Sequence, residues 1–588
     1  MSVEATEALR QARRTLDDLF PRVSVEDWIW DDSTGEWCLA FTVRLERWNI
    51  VPDVSRWIAT TSPDYPNGKI RIYPAIDGGI EDTYPHQSNN GLVYHGKYCR
   101  SGNICLFTES MEWARQGDAS FTLLSHVERL IEWLEKANEG LLANVGDHFE
   151  FPMQRIVLNE IVLYFEDEAT KRIWDNHSNW LDGTVEAVEN DCGHICLSSF
   201  YDSRGELIRF VEWGMCSKAD KTREPVLGIW FISKSIPHIR CWQSPNTYGE
   251  LRKWAKAEGL DLDRIIARNS SRLRDGLRHY LAIGVFCPDI VGEHGRVLSW
   301  FVAKLPRLAD VKEFGPGGVH SPQVLKSVDR HKYLASDRKI HWCRSVNCAK
   351  DQMHSRGSLC DRLTDSRIAL IGAGSLGSLV ADNLVRGGVT NLCIFDSDVF
   401  EIGNVTRHVL RACDVGEDKS DALSTHLNAI SPAARIEGRS NLEKGDANLL
   451  EKYDIIIDCS SSPAVLMCFD EMKGENRLFI CSFGYAAENV YFSASTLGLF
   501  SSSAYWETFG EMLRADASRI NTEELPWEGT GCWSPVFPAK NADVSRAASL
   551  VVDCVNQMME NEQCGINLAY VTRRDGNGVM LGIDRIEL

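Results

Sequence analysis

The sequence predicts a multidomain chain: an α+β domain over residues 1–150, a mixed α/β linker over 151–360, and an α/β domain with a doubly wound parallel sheet over 361–588. Three observations predict it. Strand-like and helix-like runs alternate regularly from about residue 361 onward, which is the pattern of parallel strands joined by crossover helices. The first 150 residues instead run helix, strands, helix. The stretch between them is rich in Trp and β-branched residues and carries no chemical motif of its own. A length of 588 residues suits roughly three to five domains.

Each element follows from its local pattern. A charged amphipathic helix is expected from Glu4 to Phe20, followed by strands in "EWCLAFTVRL" and "GKIRIYP". The domain closes on "SFTLLSHVERLIEWLEKANEG", where Leu124, Val127, Leu130, Ile131 and Leu134 recur at helical spacing and Gly140 is the stop signal. In the linker, "HICLSSFYDSRGELIRFVEW" reads as a hairpin turning at Asp202 to Gly205. After 361, "RIALIGAG", "NLCIFD", "DIIIDC" and "RLFICSFG" are the strands; "LGSLVADNLVRGG" and "DALSTHLNAIS" are helices between them.

Composition removes several function classes. A formal charge of −20 opposes binding along a phosphate backbone, which depends on clustered Lys and Arg. No apolar run reaches the length of a membrane span, roughly 18 to 20 residues. Nineteen cysteines are scattered rather than densely paired, and the opening "MSVEATEALRQARRTLDDLF" has no secretory pattern. The expectation is a cytoplasmic bacterial protein with reduced thiols, no nucleic-acid partner and no membrane. Paired Cys-x-x-Cys zinc spacing is absent, and Cys343, Cys348, Cys192, His194 and Cys196 are assigned to no metal, so no structural zinc is expected.

The chemistry concentrates in two places. "ALIGAGSLGSLVADNLVRGG" sets Gly372, Gly374 and Gly377 between an apolar strand and a helix, where backbone N–H groups can approach phosphates. Asp396 ends the next strand, in position to bind a ribose, and a dehydrogenase would share this much. Asp398, Asn404, Arg407, Lys419 and Asp458 then follow in order. This ordered set resembles the ThiF/MoeB and ubiquitin-activating superfamily. The resemblance implies that Asp396 holds the ribose of ATP, that Asn404, Arg407 and Lys419 hold phosphates, and that Asp458 positions Mg²⁺. His408 stands where many relatives have Gln. Asn404, Arg407 and Lys419 have no role in a dehydrogenase.

An acyl adenylate is usually handed to a thiol. "GCWSPVFPAK" puts Cys532 in a Gly- and Pro-flanked loop, and its C-x-x-P-x-F-P pattern resembles the thioester loop of prokaryotic activating enzymes. Cys459 and Cys481, at strand ends, are the rivals and are expected to be buried. A second cysteine lies in "VYHGKYCRSGNICLF", which resembles the active-site segment of ubiquitin-conjugating enzymes through Tyr94, His95, Gly102, Ile104, Cys105 and Leu106, with "TYPHQ" upstream and Trp113 downstream. The resemblance implies a ubiquitin-conjugating (UBC-like) fold for the first domain and makes Cys105 its nucleophile. Gly96-Lys97 replaces the family's Pro-Asn, Phe107 replaces its Asp, and Cys99 is expected as a solvated spare thiol. Cys196, in the echo "GHICL", is expected to be strand packing.

A conjugating-type domain ahead of a ThiF-type adenylation domain resembles the fused activating and conjugating enzymes of bacterial CBASS anti-phage operons. The resemblance implies an ATP- and Mg²⁺-dependent homodimer that activates the C-terminal glycine of a cGAS/DncV-like nucleotidyltransferase, passes it from Cys532 to Cys105, and joins it to an amine of a target protein or small molecule. A sulfur-carrier or ubiquitin-like protein adenylyltransferase with an N-terminal binding module is the alternative.

Overall fold

The protein is represented by a computed structural model that describes residues 4–91, 93, 98–107, 117–154, 156–176, 182–214, 225–239, 241–310, 321–440, 447–519 and 538–588. Its contacts divide it into two units, one within 1–187, 197–210 and 225–347, the other within 188–196, 211–224 and 348–588. Among the described residues no helix is long and apolar enough to cross a membrane.

The first unit begins with α1 (Glu7–Leu19), capped where the Thr6 hydroxyl accepts a hydrogen bond from the Leu9 N–H. An antiparallel meander follows: β1 (Val23–Asp31), β2 (Glu36–Arg44), β3 (Val54–Thr61) and β4 (Ile70–Pro74). Strand alternation splits β2 between two environments. Trp37, Leu39, Phe41 and Val43 enter the main core, while Cys38 and Ala40 form a smaller cluster with Ile58, Ala75 and Cys99. Cys99 is therefore buried, contrary to the expected solvated thiol, because its backbone bridges Ala75 at the end of β4.

Helix α2 (Ala119–Glu139) is capped by Asp118, whose carboxylate accepts the Ser120 and Phe121 N–H groups, and stops at Gly140 with φ +72°. The buried stripe is Leu123, Val127, Leu130 and Leu134, each contributing roughly 1.5–3 kcal/mol by leaving water. Leu124 and Ile131 are only partly buried, so the apolar face runs through Leu123 rather than the expected Leu124.

The linker is one eight-stranded mixed sheet with order β5-β12-β11-β10-β9-β6-β7-β8. In chain order these are β5 (Ile156–Tyr164), β6 (Asp182–Glu189), β7 (Ile195–Asp202), β8 (Leu207–Phe210), β9 (Val226–Ser233), β10 (His279–Cys287), β11 (Val297–Leu305) and β12 (His341–Asn347). The expected hairpin is β7–β8: Gly205 has φ +86° and the Asp202 carboxylate accepts the Arg204 and Glu206 N–H groups. Cys196 is fully buried in β7. A buried carboxylate, Glu166, is satisfied by the Trp174 and Trp300 indole N–H groups, the Thr170 hydroxyl and Arg209.

The second unit holds the third sheet, with order β15-β14-β13-β16-β17-β18-β19-β20. Strands β13 (Ile368–Ile371), β14 (Asn391–Phe395), β15 (Arg435–Arg439), β16 (Ile455–Asp458) and β17 (Arg477–Phe483) are parallel. Helices α3 (Ser375–Arg386), α4 (Lys419–Asn428) and α7 (Asn541–Glu560) pack into one core, and α5 (Pro463–Asp470) and α6 (Ser502–Ser518) into a second. With both faces covered, β13 and β16 are buried at every residue. The sheet does not stay parallel, however. β18 (Asn489–Thr496), β19 (Ile566–Arg574) and β20 (Met580–Glu587) extend it as antiparallel strands, a pairing direction that hydrophobic periodicity does not encode.

Candidate active site

Strand order reverses about β13, whose neighbours are β14 and β16, and in open α/β sheets ligands bind beyond the carboxyl ends of strands at such a switch point. A cleft of about 420 Å³ lies there, lined by Gly372, Gly374, Asp396, Asp398, Ser440 and Ser460 among others. Its three glycines have three separate reasons. Gly372 has φ +89° and a Cβ on it would meet Ser460 Cα at 2.7 Å; a Cβ on Gly377 would sit 1.9 Å from the Gly372 carbonyl oxygen. Gly374 is different: a Cβ there would meet nothing within 4 Å. It caps α3 without a side-chain hydrogen bond, so the helix N-terminus faces open space and suits an anion.

The expected polar set gathers around this turn. One Asp396 oxygen accepts the Ala373 N–H at 2.6 Å and the other the Asp398 N–H at 2.8 Å, which ties the glycine loop to the end of β14. Asn404, Arg407, His408 and Lys419 line a small pocket of about 60 Å³ that shares Gly374 with the main cleft. Lys419 opens α4, is nearly buried, and holds its Nζ 2.9 Å from Asp398 Oδ2. The Asn404 side-chain oxygen accepts the Glu401 N–H at 3.1 Å.

His408 donates from Nε2 to the Ala373 carbonyl at 2.7 Å and accepts the Leu410 N–H at Nδ1. Burial pulls its pKa down to about 4. A neutral imidazole with one donor and one acceptor supplies what an amide supplies, so His408 can do here what the family resemblance implies for a Gln.

Asp458 ends β16 fully buried. Its Oδ1 accepts the Ser460 N–H and hydroxyl, while Oδ2 has no hydrogen-bond partner among the described residues. Burial pushes its pKa up to about 6. An orphaned carboxylate oxygen beside a cleft suited to phosphate fits a hard divalent cation shared with a nucleotide. Among the described residues no group of three or more His, Cys, Asp or Glu is arranged to hold a metal ion. Cys459 and Cys481 are both buried, as expected of strand-end cysteines, and burial lifts the Cys481 thiol well above its ordinary value.

Cys532 lies outside the described residues, as do Tyr94, His95, Gly96, Lys97 and Trp113. Pro538 and Lys540, shortly after Cys532 in sequence, line a further cleft of about 570 Å³ with Arg407, Glu488 and Arg574. Ala486 in its wall has φ +56° and Ala487 beside it φ +53°, a strained backbone of the kind that clusters at ligand sites.

Cys105 is exposed at the edge of a cleft of about 460 Å³ in the first unit, which His86, Arg129, Glu132, Lys136 and His148 also line. Phe107 packs edge-on against His126 of α2 at 4.8 Å, with the Arg129 guanidinium over its face. Sequence reasoning missed His86, Ser440 and Ser460. Small polar residues at the carboxyl ends of parallel strands would have pointed to the serines.

Comparison with known proteins agrees with this geometry. Residues 140–348 match the Cap2 central linker domain and residues 347–491 match the ThiF family. The chain is 29% identical over 581 residues to the ATP-dependent ubiquitin transferase-like protein Cap2 of Enterobacter hormaechei subsp. hoffmannii (strain UCI 50), covering 93% of this chain and 94% of that one. It is 38% identical over 108 residues to the protein of the same name from Vibrio cholerae serotype O1 (strain ATCC 39315 / El Tor Inaba N16961), 18% of each chain. The adenylyltransferase and sulfurtransferase uba4 of Aspergillus terreus (strain NIH 2624 / FGSC A1156) is 34% identical over 106 residues, 18% of this chain and 22% of that one. Fold and cleft thus define the class, a ubiquitin-like transferase enzyme carrying a ThiF-family domain. The alignment with the Enterobacter protein runs through nearly the whole chain, which is a Cap2 homologue.

Proposed function

We propose that the chain activates the C-terminal glycine of a partner protein with ATP and passes it through two thioesters to an amine. In this reading residues 1–150 form a UBC-like conjugating domain, 151–360 the linker and 361–588 the adenylation domain. The observation that carries it is the gathering of Asn404, Arg407 and Lys419 with Gly374 in one pocket beside a nucleotide-sized cleft.

The partner's carboxylate attacks the α-phosphorus of ATP; a new O–P bond forms and the bond to pyrophosphate breaks. Arg407, Lys419 and the N–H groups at the start of α3 oppose charge that grows on the phosphates. Asp396 serves the ribose. Asp458 would hold Mg²⁺, which when bound neutralises phosphate charge. The cleft bordered by Lys540 and Arg574 receives the partner's C-terminal tail. The Cys532 thiolate then attacks the acyl carbon and expels AMP, Cys105 exchanges with it, and an amine takes the acyl group from Cys105. The partner is a cGAS/DncV-like nucleotidyltransferase in the CBASS setting, and the enzyme works as a homodimer in the bacterial cytoplasm.

The test mixes protein, ATP, Mg²⁺ and such a nucleotidyltransferase ending in glycine, then reads pyrophosphate exchange and thiol-labile adducts by intact mass. Wild type and Cys105→Ala are expected to form an adduct that Cys532→Ala does not. Pyrophosphate exchange with no adduct on either cysteine would replace this reading by a sulfur-carrier type of adenylyltransferase.

A further inference from the structure

Beside Cys105 stands a histidine that none of these steps uses. Gln87 bridges Ile104 in antiparallel fashion, the Ser88 N–H donates to the Asn103 carbonyl, and the Cys105 N–H donates to the His86 carbonyl at 2.8 Å. This register sets His86 directly opposite Cys105, where Cβ atoms are about 4.5–5.5 Å apart, and both residues line the same cleft.

His86 is held in an uncommon conformation. Its backbone has φ +61°, a left-handed conformation uncommon outside glycine, which His enters more readily than most residues and which a neighbouring contact can fix. Glu150 supplies that constraint: its Oε2 accepts the His86 N–H at 2.9 Å and lies 3.1 Å from Nδ1. A carboxylate oxygen that close would repel a lone pair, so Nδ1 carries the proton. The neutral ring then keeps its basic lone pair at Nε2. The ring is half-exposed, 51%, and open to an incoming group.

We propose that His86 Nε2 is the proton acceptor when an amine attacks the acyl thioester on Cys105, with Glu150 as its positioning residue. The proposal rests on the reading of Cys105 as an acyl carrier. The amine lone pair forms the C–N bond, the C–S bond breaks with its electrons on Cys105 Sγ, and the amine proton passes to Nε2. His86 then returns that proton to the thiolate or to water. Glu150 belongs to the stretch that matches the Cap2 central linker domain, and Asn144, Asp147 and His148 of the same stretch wall the cleft. The overlap between the 1–150 domain and the stretch that matches the linker model therefore completes the transfer site.

The test uses the full-length protein charged directly by a 2-mercaptoethanesulfonate thioester of a glycine-terminated peptide, so that neither ATP nor the natural partner is needed. Charge is read as the mass of the Cys105 tryptic peptide, and discharge is followed with free lysine. His86→Asn, chosen because asparagine tolerates a left-handed backbone, is expected to charge like wild type and to discharge about 10²-fold more slowly, with recovery on adding imidazole. Glu150→Ala is expected to slow discharge about tenfold, and Glu150→Gln, which keeps an oxygen for both His86 nitrogens, to restore most of the rate. Discharge by His86→Asn at the wild-type rate overturns the proposal, as does a slowed rate that imidazole leaves unchanged. Failure of wild-type Cys105 to charge removes the underlying reading as well.

Discussion

At the carboxyl ends of β13 and β14, and in the segment that leads from β14 into α4, polar groups are fixed before any ligand arrives: Asp396 closes two loop amides, His408 is tied at both nitrogens, and Lys419 is held by Asp398. Around Cys105 the thiol is exposed, His86 is half-exposed, and Arg129 and Glu132 form a surface pair. The difference follows from what each cleft would accept. Stabilising charge on a small nucleotide needs dipoles that do not reorganise and little water. A site that exchanges a protein-sized acyl group must stay open, and its groups are screened.

The largest break in this comparison should come at the glycine loop. Gly377→Ala forces a Cβ to 1.9 Å from the Gly372 carbonyl and is expected to abolish both the cooperative melt of the second unit and pyrophosphate exchange. Gly374→Ala, with open space around its Cβ, should melt like wild type yet lose the thermal shift that ATP produces. Calorimetry of the two variants with and without ATP checks both outcomes.

Next comes Asp458. Its folded pKa, raised to about 6 from an ordinary 3.8, means that the native state binds this proton more tightly than the unfolded chain. Stability from the group is present below about pH 4 and lost as pH rises through about 6, a difference of roughly 3 kcal/mol. Asp458→Asn should therefore melt higher than wild type at pH 7 and equally at pH 4, while its pyrophosphate exchange drops about 10²- to 10³-fold. A variant less stable at pH 7 would show that the carboxylate is structural.

His408 titrates in the opposite sense. With its pKa lowered from 6.5 to about 4 by burial, its contribution is complete above about pH 6.5 and lost as pH falls toward 4, again by up to roughly 3 kcal/mol. His408→Gln should keep the fold, remove that slope from a melting series and retain exchange activity. The smallest effect belongs to the open cleft: Arg129→Gln breaks a 2.9 Å pair with Glu132 whose side chains are 39% and 48% exposed, and stability should change by less than about 1 kcal/mol.

Legibility in the sequence divides along the same line. The glycine turn, Asp396 and Asp458 sit at the carboxyl ends of the parallel strands β13, β14 and β16, so strand and helix alternation together with the family resemblance brings them to one edge of the sheet, and Gly140 and the Asp202 turn announce themselves by residue type. The contact of Glu150 with His86 joins residues 64 apart by a backbone N–H to carboxylate hydrogen bond between two irregular segments, for which no periodicity exists. Cys99 looked solvated because burial came from a bridge to Ala75 rather than from a strand pattern. Strands β18–β20 were invisible as antiparallel for a related reason: alternation reports which face is buried, not which neighbour is paired.

One feature of the glycine loop extends to local opening of the fold. The Ala373 amide is held at 2.6 Å by a carboxylate that also closes the next turn, in a residue with no exposed surface. It should exchange with deuterium only when the whole second unit opens. The His86 amide, held by a part-exposed Glu150, is released by a local fluctuation. Hydrogen exchange at these two positions would therefore report separately on global unfolding and on breathing of the transfer cleft.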